Sequence, residues 1–118
     1  MKLNTLFLIL LSLATAFKVH AGSHYGKITK FDLHSDNWSK YDVSDVGILS
    51  FYVEGLPNSC NQENGRNRVV ITTEHPLFNA VLSTVISAKT LDRALYVNYL
   101  DSCKVRDKAW DFGYIGFR

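Results

Sequence analysis

Two cysteines, Cys60 and Cys103, are the only ones in the chain. Their role depends on the compartment, and the N-terminus speaks to that. Lys2 gives a positive start, residues 3–17 form an apolar run broken only by small polar residues, and Val19-His20-Ala21 places small residues where a signal peptidase reads. The expectation is a signal peptide over residues 1–21 and one exported domain over 22–118. A second small-x-small site at Ala14-Thr15-Ala16 would move the cut by five residues without altering the argument. A membrane anchor is disfavoured, because the run falls short of the roughly 20 apolar residues that span a bilayer. No cysteine follows the run directly, which argues against a lipoprotein. In an oxidising compartment an even cysteine count reads as a disulfide, and two cysteines leave one pairing, Cys60–Cys103. Closing a loop of that length should restrict the unfolded chain by about 4 kcal/mol on the chain-entropy model. A metal site would need ligand spacing, and neither a Cys-x-x-Cys nor a nearby histidine pair is present.

Removing 21 residues from 118 leaves 97, enough for one domain with one modest core. The chain has 13 basic and 11 acidic residues, and loss of Lys2 and Lys18 leaves 11 of each. That balance argues against nucleic acid, whose phosphates are met by a surplus of Lys and Arg.

Residues 25–33 alternate, with Tyr25, Phe31 and Leu33 against Lys30, Asp32 and His34, and with Ile28 out of phase, so a first strand carrying a bulge is expected. Ser35-Asp36-Asn37 ends it as a turn cluster. Residues 46–54 are apolar on both faces, the mark of a central strand. The stretch 55–66, with Pro57, Asn58 and Asn64-Gly65, is a loop carrying Cys60, and residues 68–73 form the third strand. The period then changes. Pro76 suits a first helical position, and Leu77, Ala80, Val81, Thr84, Val85 and Ala88 recur at helical steps through Lys89. Phe78, Leu82 and Ile86 add a second stripe, so this helix should be largely covered. Residues 94–100 and 110–117 are the last strands, and Gly113 and Gly116 permit a bend in the final one.

The expected architecture is mainly β with one helix: a small, partly open five-stranded OB-like barrel with the helix between strands three and four. A flat sheet with the helix across one face is the alternative. The 15 aromatic residues suit a barrel filled by side chains.

This element order resembles the receptor-binding B subunits of AB5 toxins of the subtilase-cytotoxin and typhoid-toxin type. The features that carry it are the leader, Gly26-Lys27-Ile28, Cys60 after strand two, the helix over 78–88, and Leu95-Tyr96-Val97-Asn98-Tyr99 before Cys103. In spacing the chain is similar still more closely to small exported gammaproteobacterial proteins that share the Gly-Lys-Ile start and a Tyr-Ile end, here Tyr114-Ile115. That group has no assigned activity. No sugar-contacting pattern of the toxin subunits matches, so the resemblance implies a fold and carries no binding residue over.

Asp32, His34 and Asp36 would share a strand face, a geometry open to a metal or to acid-base chemistry, but a solvated face is the commoner meaning. His24 has no companion in sequence, and His75 before Pro76 reads as a helix-entry residue. Ser83 and Ser87 sit where small residues permit packing, no serine lies in a Gly-x-Ser-x-Gly elbow, and no phosphate-binding glycine loop occurs. No catalytic residue, metal or cofactor is therefore expected. Trp38 and Tyr41, with Asn37 beside them, lie in a polar stretch where no periodicity forces burial; such rings serve sugar or partner sites, unless Trp38 folds back as a lid. Arg66 and Arg68 flank a turn and could meet an acidic ligand, although such residues more often keep a hairpin soluble.

The functional expectation is a secreted or periplasmic, non-enzymatic binding module that recognises a glycan or a protein through the loops after strands one and two. The alternative is a periplasmic structural or accessory protein without a ligand pocket. Neither nucleic acid nor, after cleavage, membrane is an expected partner, and a homo-oligomer is conceivable.

Overall fold

The computed structural model describes residues 22–118. The expected signal peptide lies outside the described residues. Six strands form one sheet: β1 (Gly22–Gly26), β2 (Ile28–Ser35), β3 (Gly47–Val53), β4 (Arg68–Thr72), β5 (Leu95–Leu100) and β6 (Trp110–Gly116), with helix α1 (Phe78–Thr90) between β4 and β5. Their order is β1-β5-β6-β4-β3-β2, antiparallel throughout except for the β4–β6 pair.

This corrects the five-stranded barrel. The expected first strand is broken at Lys27, and its halves pair with different neighbours: β1 with β5, β2 with β3. Alternation along the chain persists across the break, which is why one strand was expected. The sheet stays open, with β1 and β2 as its edges. Because one residue joins those edges in sequence, the sheet must curl until they approach. The approach is visible at the end of β3, where the Glu54 amide donates to the Lys27 carbonyl at 2.9 Å and the His24 Nε2–H donates to the Glu54 carbonyl at 2.7 Å. The expected bulge is present, since the register passes from Ile28 opposite Val53 to Lys30 opposite Tyr52 and leaves Thr29 unpaired.

A second bulge lies in β6. Asn98 faces Tyr114 while Tyr99 faces Phe112, so Gly113 is the extra residue. A Cβ there would stand 2.9 Å from the Asn98 carbonyl oxygen, too close for any side chain without a shift.

The core lies between one sheet face and α1. Leu49, Phe51 and Val53 of β3, Val69 and Ile71 of β4, Leu95, Val97 and Tyr99 of β5, and Trp110 and Phe112 of β6 meet Val81, Val85 and Ala88 of the helix. Each buried Val or Leu contributes about 1.5–3 kcal/mol over an exposed one. The helix is narrower in contact than its sequence suggested. The 81-85-88 stripe is fully buried, Phe78 and Leu82 pack half-buried at its margin, and Ile86 is exposed. Pro76 stands outside the helix, which begins at Phe78, and His75 Nδ1 accepts the Leu77 amide at 3.0 Å, a helix-entry role. The aromatics divide likewise: Phe51, Tyr52, Tyr99, Trp110 and Phe112 are buried, whereas Tyr25, Trp38, Tyr41 and Tyr114 are exposed.

Cys60 and Cys103 form the disulfide, with Cα atoms 6.3 Å apart. It ties a short 3-10 turn, Ser59–Asn61, to the loop after β5. Cys60 and Asn61 both have φ of 54°, a left-handed pair that turns the chain sharply toward Cys103.

Candidate ligand-binding groove

The sheet face opposite the helix is built from alternate residues of four strands, β2, β3, β4 and β6. Cross-strand register places Lys30, Tyr52 and Arg68 in one row, with Asp32, Ser50, Val70 and Asp111 in the next. The β5–β6 loop, residues 101–109, folds back over part of this face, where Ala109 joins Ile48 and Val70 in a second buried cluster. That cover explains why β3 is buried on both sides from Ile48 onward. The part left open forms two adjoining depressions of about 380 and 330 Å³ that share Trp38, Arg66 and Arg68. Both volumes fall within the range of small-ligand sites.

Three restraints hold the returning loop. The buried Asp111 carboxylate accepts the Ser102 hydroxyl at 2.5 Å and the amides of Lys104 and Val105 at 2.9 and 3.1 Å. Cys103 is disulfide-bonded. Arg68, only 8% exposed, donates from Nε to the Lys108 carbonyl at 3.0 Å and from Nη2 to the Asp107 carbonyl at 3.1 Å, while Nη1 reaches the Ser50 hydroxyl at 3.5 Å. Lys108 adopts φ of 56°, which supports the tight turn that aims both carbonyls at Arg68. All these acceptors are neutral. The expectation that Arg68 merely solubilises a hairpin is therefore wrong: its strand phase puts it under the loop. Arg66, two residues before the start of β4, is exposed.

Trp38 is 71% exposed, so it is no lid on the core. Its ring is held between the edge of His34, with centroids 5.2 Å apart, and the Arg106 guanidinium, 4.9 Å from the ring centre. Arg106 Nη1 in turn donates to the Asp36 carbonyl at 3.1 Å and stands 3.7 Å from its carboxylate. Two loops distant in sequence, 36–46 and 101–109, are thus joined around one indole. Below it Lys30 lies 4.4 Å over the Tyr52 ring. Sequence reasoning missed Arg106, Lys108 and Tyr52. The first two sit in an aperiodic loop, and Tyr52 was read only as part of a central strand.

The other expected site residues separate. Tyr41 is 89% exposed and turns away from Trp38 toward a mainly apolar hollow of about 500 Å³ with Leu33, Phe78 and Leu82. Asn37 lies outside both depressions, where its side-chain carbonyl accepts the Ser39 hydroxyl at 2.8 Å. Asp32 and His34 line the groove, but Asp36 is engaged by Arg106, and His34 Nδ1–H donates to the Ser35 carbonyl at 2.8 Å. Among the described residues no group of three His, Cys, Asp or Glu side chains is placed to hold a metal ion. No described helix is long and apolar enough to cross a membrane. Two groups titrate away from their ordinary values. Hydrogen bonds from the Ser44 amide and hydroxyl lower Asp42, and burial, aided by the Asp101 charge, raises Tyr99. Neither lies in the groove. No protein-family model, curated protein or solved structure matches the chain.

Proposed function

We propose that the chain is an exported, non-enzymatic binding module that recognises a glycan or a protein partner through the groove at Trp38. The observation that carries this reading is a largely exposed indole in contact with His34 and Arg106, beside a depression lined with polar and charged groups. A ring held in place offers an apolar face at little entropic cost, and its neighbours supply hydrogen bonds. The groove draws Trp38 from the loop after β2 and Arg66 from the 55–66 loop, and adds the β5–β6 loop, which the sequence reading did not include.

An open, OB-like reading of the fold supports the same surface, because in such folds the face of the second and third strands and the two flanking loops hold the ligand. The disulfide supports an oxidising destination, secreted or periplasmic. The exposed indole beside hydrogen-bonding side chains makes a glycan the first class to test.

The test is binding of the oxidised protein to a glycan array, with Trp38→Ala as comparison. Loss of binding with the fold retained and stability lowered by no more than about 1 kcal/mol is expected, since the ring joins two loops but lies outside the core. An array without signal refutes the glycan reading, and a signal that Trp38→Ala leaves intact refutes the groove at Trp38 as its site.

A further inference from the structure

The groove is far more basic than the chain that builds it. Its lining carries Lys30, Arg66, Arg68, Arg106 and Lys108 against only Asp32 and Asp107. Beyond the leader the chain has equal numbers of basic and acidic residues, so this is a local concentration of charge. Building on the reading of Trp38 as a glycan platform, we propose that the ligand is a saccharide carrying a sulfate or phosphate ester, with the ester seated beside the Arg68 charge and met by Lys30, Arg66 and Lys108.

Arg68 is the central observation. A guanidinium this deeply buried normally has a carboxylate partner, because an uncompensated buried charge is costly. Here the described ion pairs are Lys27–Asp92 and Arg106–Asp36, and every acceptor of Arg68 is a carbonyl or a hydroxyl. The positive charge is therefore held at the groove without a counterion among the described residues. An anion bound in the groove supplies one.

The kind of anion follows from which donors remain. Arg68 spends Nε and Nη2 on the carbonyls of Lys108 and Asp107 and turns Nη1 to the Ser50 hydroxyl, so neither of its edges is left whole to clasp a planar carboxylate in two parallel bonds. Arg68 acts instead as a fixed charge, and contact passes to cations from separate elements. Lys30 comes from β2, Arg66 from the approach to β4, and Lys108 from the β5–β6 loop. Donors converging from several directions suit an ester whose three terminal oxygens also diverge. Asp32 and Asp107 fit the same ligand, since sugar hydroxyls need acceptors. A nucleic acid shares the anionic chemistry, but residues 22–118 carry 11 basic and 11 acidic side chains, without the cationic surplus that a long phosphate backbone calls for.

The test uses the full chain, produced with its leader and purified with the disulfide formed, in titration calorimetry. The probes are a heparin-derived hexasaccharide, the same hexasaccharide desulfated but keeping its carboxylates, a phosphorylated mannose oligosaccharide, and an oligodeoxythymidylate. The sulfated or the phosphorylated saccharide should bind at least tenfold tighter than the desulfated one, and the tighter of the two names the ester. Arg66→Gln and Lys30→Gln, both at exposed positions, should each weaken it at least threefold with the melting temperature unchanged. Arg68→Met should abolish the preference for the ester; should that variant fail to fold, the two exposed substitutions carry the test. Equal affinity for sulfated and desulfated forms overturns the proposal and leaves the Trp38 platform standing. Binding to none of the saccharides overturns both readings. Tighter binding of the oligodeoxythymidylate than of either ester overturns the proposal in favour of nucleic acid.

Discussion

Replacing Asp111 with Ala should release the β5–β6 loop from the sheet. The Asp111 carboxylate, on a residue only 7% exposed, accepts one hydroxyl and two backbone amides, those of Ser102, Lys104 and Val105. Hydrogen bonds to a charged acceptor contribute about 1.5–3 kcal/mol each, and truncation leaves the two part-buried amides without an acceptor. Against that stands the release of a carboxylate from a poorly solvated site, which offsets part of the loss. The net expectation is destabilisation of about 3 kcal/mol, within the usual cost of removing one partner from a buried charged network. For a domain of this size that lowers the melting temperature by roughly 12–24 °C. Calorimetric melting measures it, and amide hydrogen exchange at Lys104 and Val105 locates it. Asp111→Asn should fall between, since one amide oxygen can still accept while the side-chain NH2 meets an N–H donor. A melting temperature within about 3 °C of wild type, with protection at both amides unchanged, would refute the account of the loop.

The disulfide and Tyr99 give two further tests. Cys60→Ser with Cys103→Ser should cost about 4 kcal/mol by chain entropy, read as a shifted urea midpoint with the native fold retained; an unshifted midpoint contradicts the unfolded-state argument. Tyr99, raised by burial and by Asp101, should ionise above an ordinary tyrosine in ultraviolet titration. Its neutral form is the one favoured on folding, so the associated stability is complete below the unfolded phenol's pKa near 10 and is lost as pH rises through the higher folded value. Tyr99→Phe should remove that alkaline loss, and an alkaline melting profile identical to wild type would argue against it.

What the sequence made legible follows what periodicity can encode. Leu49, Phe51 and Val53 alternate with Ile48, Ser50 and Tyr52, and β3 is indeed interior. Ile28 is out of phase because Thr29 bulges. Period says nothing about which neighbour a strand chooses, so the division at Lys27, and with it the sixth strand, was invisible. Nor does it reveal what covers an outward face: Arg68 has the right phase for solvent and is buried by a loop some 40 residues later in the chain. Trp38 and Tyr41, three residues apart in an aperiodic loop, face different hollows because nothing regular relates their directions.

The same loop explains how residues 22–118, with equal numbers of basic and acidic side chains, come to hold a basic groove. Residues 101–109 contain Lys104, Arg106 and Lys108, and side chains on a free loop would scatter them in water at the screened strength of surface charges. Here the Cys103 bridge, the Asp111 carboxylate and the Arg68 guanidinium fix successive parts of the backbone, and Arg106 closes onto Asp36 and Trp38. The entropy of ordering the loop is thereby lost on folding, so a ligand arriving later meets donors already in place. Arg68 couples the two events, because the contacts that bury its charge are the contacts that hold the loop. A ligand that neutralises Arg68 should accordingly protect the Asp107 and Lys108 segment from exchange even where it touches neither residue, a coupling that a groove built of independent surface cations would lack.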